Sequence, residues 1–124
     1  MPHPAEHSPV SRTLAPGEGE ELADTLKALA SANRLQLLLL LIEGERTVEE
    51  LASAAGLGQS ATSHHLRILR VLRLVQVRRE GRHAHYSLHD HHIADLLAAV
   101  RHHHEHVHPA TLEERSFARA RAHA

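Results

Sequence analysis

The spacing of apolar residues along this chain changes period twice, and that constrains its fold more than any other feature. Leu22, Leu26 and Leu29 recur at helical spacing, and Asn33 to Glu43 follows as a Leu-rich stretch apolar on all sides, as a central helix is. Thr47-Val48-Glu49-Glu50 matches a capping box, in which hydroxyl and carboxylate each satisfy a free amide at a helix start, so a short helix is expected over about Val48 to Ala55. Gly56 fits a left-handed helix stop, Leu57-Gly58 a tight connection, and Ser60 a cap for the next helix, which bears Leu66, Leu69 and Leu72.

After Leu74 the period falls to two. Val75 to Arg79 and Ala84 to Leu88 alternate around the turn Glu80-Gly81-Arg82, the pattern of a β-hairpin. Asp90 then opens a last helix whose Ile93, Leu96, Leu97, Val100 and Val107 form one stripe, stopped by Pro109. The expected class is α+β, mostly helical: helix, four-residue turn, helix, hairpin and a long final helix, with no internal repeat. Residues 1–18, with Pro2, Pro4, Pro9 and Pro16, read as a flexible arm; 19–108 as the folded domain; 109–124 as a weakly patterned tail.

A chain of 124 residues buries one modest core, which excludes a multi-domain machine. It has no Cys, so disulfides, thiolate metal sites and cysteine nucleophiles are excluded together. The opening Met1 to Glu6 lacks a basic-then-apolar signal, and the longest apolar run, Leu37 to Ile42, is far short of the ~18 residues of a membrane span, so a cytoplasmic protein is expected. An enzyme is not expected: there is no His-Glu-x-x-His helix, no phosphate-cradling Gly loop and no sign of a small-molecule substrate.

The net charge of -1 conceals strong segregation. Residues 1–59 carry nine acids and four bases, whereas residues 60–88 carry Arg67, Arg70, Arg73, Arg78, Arg79 and Arg82 against Glu80 alone. The basic segment coincides with the second helix of the helix-turn-helix pattern and with the hairpin. One can read a major groove while the other grips phosphates, so duplex DNA is the expected partner. Single strands fit less well, because stacking needs aromatic platforms and this segment offers only Tyr86. Gln59, Ser60, Ser63, His64 and Arg67 are the candidates for the reading helix, and Arg78, Arg79 and Arg82 for the hairpin. Ser60 fits capping as well as contact, and His65 fits either a contact or a half-buried position beside Leu66.

Ten of the fifteen histidines lie between His83 and His108. At about 100° per residue, His103 and His106 fall about 20° and about -40° from His92, a narrow strip beside the apolar stripe. His92 and His103 are nevertheless about 16 Å apart along the axis, far beyond metal–nitrogen bonds of about 2 Å, so one helix cannot close a site. A second copy running antiparallel about a two-fold axis brings Asp90 and His92 of one chain against His103 and His106 of the other, and covers the apolar stripe of the same helix. Two blander readings stand beside this one: Asp90 caps the helix start, and His102 to His108 sit where a helix C-terminus favours cations. His83, His85, His89 and His91 are expected to include bystanders.

Several motifs together resemble those of the ArsR/SmtB family of winged-helix, metal-sensing repressors. They are Leu26-Lys27-Ala28-Leu29-Ala30 with Asn33-Arg34-Leu35; Gln59-Ser60-Ala61-Thr62-Ser63-His64-His65-Leu66-Arg67-Ile68-Leu69; and Arg79-Glu80-Gly81-Arg82 with Tyr86-Ser87-Leu88. The resemblance spans about Glu20 to His108. It implies a homodimer that binds operator DNA through a winged helix-turn-helix, with a C-terminal dimerisation helix, and that releases DNA on binding metal. It also implies ligation by Asp90, His92, His103 and His106. The family's Cys motif for arsenic or cadmium is absent, since the chain reads Thr47-Val48-Glu49-Glu50-Leu51 there.

Four N/O ligands suit Zn2+, whereas Ni2+ and Co2+ take more ligands and accept extra imidazoles. His108 and His3 are additional candidate ligands of that kind, and they make the chain similar to the nickel/cobalt-sensing branch. Pro2 stands where that branch has Gly. Ni2+ or Co2+ is the expected ion and Zn2+ the alternative; a non-regulatory histidine-rich nickel or zinc store is the rival role.

Overall fold

A computed structural model of the chain describes residues 13–107. Residues 1–12 of the expected arm with His3, the last residue of the expected domain, His108, and the expected tail 109–124 lie outside the described residues. The elements run α1 (Glu18–Leu29), α2 (Ala32–Ile42), β1 (Arg46–Thr47), α3 (Val48–Ala55), α4 (Gln59–Val71), β2 (Val75–Glu80), β3 (His83–Leu88) and α5 (His92–Val107). Among the described residues no single helix is long and apolar enough to cross a membrane.

Helix α2 is the hub. Leu37 and Leu38 are fully buried and Leu41 nearly so, and α2 touches α1, α3, α4, α5 and β3. This is why its apolar residues fall all round. It begins where Ser31 accepts a hydrogen bond from the Arg34 backbone amide, after an 82° bend from α1. Leu51 of α3, Leu66 and Leu69 of α4, and Leu74 and Val75 entering the hairpin complete the core, with Leu97 of α5 closing it.

The capping box is present as read: Thr47 Oγ1 accepts from the Glu50 amide, and Glu50 accepts from the Thr47 amide at 2.8 Å. Gly56 ends α3 at φ 70°, a left-handed conformation in which a Cβ would be strained. The turn to α4 is one residue shorter than expected, because α4 starts at Gln59 with Gly58 as its cap. Ser60 is therefore not the cap. No side chain caps that terminus; within the first turn the buried Thr62 donates both its amide and its hydroxyl to the Gly58 carbonyl, at 3.0 and 2.9 Å. Ser60 is left exposed in the first turn.

Strands β2 and β3 pair antiparallel from Val75↔Leu88 to Glu80↔His83, so the turn is the two residues Gly81-Arg82, with Gly81 at φ 61°. The two-residue β1 adds to β3 through Arg46↔Tyr86, giving sheet order β1-β3-β2. Between α4 and the hairpin, Arg73 takes φ 59°, and the Leu74 amide returns to the Leu69 carbonyl at 2.9 Å. This closes α4 with a residue in the conformation that glycine usually supplies.

The expected single stripe of α5 is divided. Leu97 is buried and Ile93 packs against the core, while Leu96, Val100 and Val107 are exposed. Leu22 and Leu26 of α1 are exposed too.

Because Leu37 is fully enclosed at the hub, Leu37→Ala removes packing against several elements at once. The expected loss is about 2–5 kcal/mol, read as a lower urea midpoint at fixed protein concentration.

Candidate functional site

The first two turns of α4 gather the polar groups expected to meet DNA. Gln59, Ser60, Ser63, His64 and Arg67 line one open depression, raised on a helix whose other side, Thr62, Leu66 and Leu69, is locked in the core. Small hydroxyl and amide groups at the head of a helix, with an arginine one turn on, can donate to and accept from base edges and phosphates. His65 does not share this position. It is half-buried, and its Nδ1 lies 3.2 Å from Nη1 of Arg34. Burial first, then the Arg34 and His64 charges, hold its pKa below the ordinary histidine value.

The hairpin arginines are not equivalent. Arg78 is gripped by Glu45, with Nη2 2.6 Å from Oε1 and Nε 3.4 Å from Oε2, and also pairs with Glu80 at 3.3 Å. The Glu45 hydrogen bond is the main cause that raises the Arg78 pKa and lowers that of Glu45. Arg79 and Arg82 are exposed, and neither makes an ion pair with another described residue. His85, on the neighbouring strand, sits between Glu45 and Glu80 at 3.8 and 3.9 Å and belongs to this same brace. The Glu45–Arg78 pair joins positions 33 apart and carries no local pattern from which it could have been read.

At the entry to α5, Asp90 accepts the His92 backbone amide at 2.9 Å, and its Oδ1 lies 3.2 Å from His92 Nδ1. That backbone hydrogen bond, helped by the His89 and His92 imidazoles, holds the Asp90 carboxyl below its usual range. Asp90 thus holds the first amide of α5, as the capping reading expects, and its carboxylate also faces the His92 imidazole. Both side chains are exposed.

His91 turns to Asp95 at 4.0 Å and stacks near His92, with ring centroids 4.7 Å apart. His103 and His106 lie exposed in the last turns of α5, away from Asp90 and His92. Among the described residues no three His, Asp or Glu side chains come together as a metal site. The donor types fit zinc, nickel or cobalt, which take nitrogen and oxygen ligands. One copy of the chain does not assemble them.

A family model described as "Bacterial regulatory protein, arsR family" matches residues 31–77, from the α2 cap to the middle of β2. The chain is 49% identical over 88 residues to the HTH-type transcriptional regulator NmtR of Mycobacterium tuberculosis, covering 71% of this chain and 73% of the relative. It is 43% identical over 86 residues to the transcriptional repressor SmtB homolog of Synechocystis sp., covering 69% and 65%. A cadmium resistance transcriptional regulatory protein, the CadC homolog of Staphylococcus aureus, is 33% identical over 87 residues, covering 69% and 72%.

Among solved structures, the homodimeric winged helix-turn-helix DNA-binding domain Mb0332 of Mycobacterium bovis superposes with TM-score 0.69 at 34% identity, covering 81% of this chain and 96% of that one. Helices α3 and α4 with the β2–β3 hairpin are thus a helix-turn-helix and its wing, built to bind DNA and not to catalyse a reaction. The chain belongs to the ArsR family of bacterial transcriptional regulators.

Proposed function

We propose that this chain is a metal-responsive repressor: a homodimer that holds operator DNA when metal-free and releases it when Ni2+ or Co2+ binds between its two α5 helices, derepressing a metal-export gene. The observation that carries this is the division of α5. One face is keyed into its own core by Leu97, while the other presents Leu96, Val100 and Val107 to solvent beside Asp90, His92, His103 and His106. Apolar residues left uncovered and ligands left unassembled on the same face both call for the same thing, a second copy of the helix. The homodimeric solved relative and the cadmium resistance regulator among the relatives support the reading.

On this reading Gln59, Ser60, Ser63, His64 and Arg67 enter the major groove, and Arg79 and Arg82 of the wing meet the flanking backbone. Arg78 braces the wing through Glu45. Asp90 and His92 from one protomer, with His103 and His106 from the other, hold the ion. When bound, the ion supplies a cross-link between protomers. His108 and His3 are the further donors that a six-ligand ion would use. If the cross-linked arrangement misplaces the reading helices, metal and DNA oppose each other by one coupling free energy, typically a factor of roughly 5–150 in affinity.

A gel-shift titration on a duplex selected from a random pool tests this: added Ni2+ or Co2+ is expected to weaken binding by a factor in that range. If nickel, cobalt and zinc all leave the affinity unchanged, the proposal fails. The strongest response coming from Zn2+ would replace the ion and keep the mechanism. His92→Ala is expected to bind the same duplex as tightly as the parent but to lose metal release, with metal affinity down more than about tenfold. Ligand-field spectra of the cobalt form separate four from six ligands. Arg79→Ala and Arg82→Ala should each lower the slope of log affinity against log salt by about 1, while Arg78→Ala lowers it by less, because Glu45 already neutralises that guanidinium.

A further inference from the structure

One guanidinium joins three helices behind the reading face. Arg34 lies in the first turn of α2, its own amide capped by Ser31. Its Nε donates to the Ala28 carbonyl at 2.7 Å, and its Nη1 reaches His65 Nδ1 at 3.2 Å. Ala28 is buried in the last turn of α1, where carbonyls have run out of amides of their own helix. The donor it needs therefore comes from α2, and the same side chain continues to α4. His65 directly follows Ser63 and His64, so whatever fixes His65 fixes the orientation of the residues that face outward.

We infer that Arg34 is a positioning residue for DNA reading: by bonding Ala28 and His65 together it sets the angle of α4 against α1, and the link is broken by acid. The inference rests on the assignment of α4 as the reading helix. Arg34 has only donors, so His65 must offer a bare Nδ1, which requires the neutral ring. A protonated His65 would turn an N–H and a positive charge toward a guanidinium. The charged groups facing His65 are Arg34 from α2 and His64 from its own helix, with no carboxylate among them. Asp24 of α1 lies beside His64 and Arg67 in the neighbouring depression.

The folded state lowers the affinity of His65 for a proton relative to the unfolded chain. The link is therefore complete above the ordinary histidine range near about 6.5 and is lost as pH falls below it.

The test measures the affinity of the full metal-free chain for a duplex selected from a random pool and for a scrambled duplex of equal length. Arg34→Gln is expected to lower the ratio of the two affinities on the order of tenfold, as loss of a partly buried link made of two hydrogen bonds does. It leaves the salt slope unchanged, because no phosphate contact is removed. His65→Gln, whose side-chain carbonyl can still accept from Arg34, is expected to keep the parent ratio at about pH 7.5 and to abolish the extra loss shown by the parent chain on going to about pH 5.5.

Arg34→Gln retaining the parent ratio, or His65→Gln following the parent acid profile, overturns the inference. Should Arg34→Gln fail to fold by circular dichroism, the acid profile of His65→Gln decides alone. A parent chain that selects no duplex at all defeats the DNA assignment itself, and the inference with it.

Discussion

Helix α2 turns only a narrow edge, Asn33 and Gln36, to water, and buries its leucines against most of the other elements. Leu37, Leu38 and Leu41 need cover on all sides, which α1, α3, α4, α5 and β3 supply between them. Burial at this hub fixes where α4 lies, because Leu66 and Leu69 are drawn inward against it. Gln59, Ser60, His64 and Arg67 are then exposed by geometry, on the side of the same helix turned from the core. The same burial draws in Leu97 and so fixes one face of α5. The two surfaces with chemistry on them, the head of α4 and the outer face of α5, are the two backs of helices whose fronts share one core.

What could be read from the residues was what is local. The capping box at Thr47 to Glu50, the left-handed stop at Gly56 and the alternation on either side of Gly81 are each written within a few positions, and each stands as read. The start of α4 departs from the residue pattern, which offers Ser60 as the commoner kind of cap, whereas the helix begins at Gln59 behind Gly58. The buried Thr62 hydroxyl turns back to the Gly58 carbonyl in the first turn, a contact that spacing does not announce. A strand of two residues, β1, has no period to detect. The spacing of Asp90, His92, His103 and His106 shows that they share a helix face but not what faces them, since that face looks away from the chain. Contacts between positions 31 and 33 apart, Arg34 with His65 and Arg78 with Glu45, leave no trace in spacing at all.

Charge in this chain is sorted by position, and the fold uses the sorting twice. The excess of acids before residue 60 supplies Glu45, which reaches across to Arg78 and ties the wing to the loop between α2 and α3. The excess of bases after it leaves Arg67, Arg79 and Arg82 exposed. An arginine paired within the fold and others left facing solvent are different placements of one residue type, and only the partner distinguishes them. An exposed pair such as Glu45–Arg78 contributes little stability, so its value lies in direction: it sets the way the wing points.

The division of α5 has a mechanical consequence. A helix lying free on a surface can roll about its own axis and present new side chains without disturbing its neighbours. α5 has no such freedom, because Leu97 is keyed into a close-packed interior that yields only by opening voids. A displacement of its outer face must therefore either open a void beneath Leu97 or carry the neighbouring core along with it.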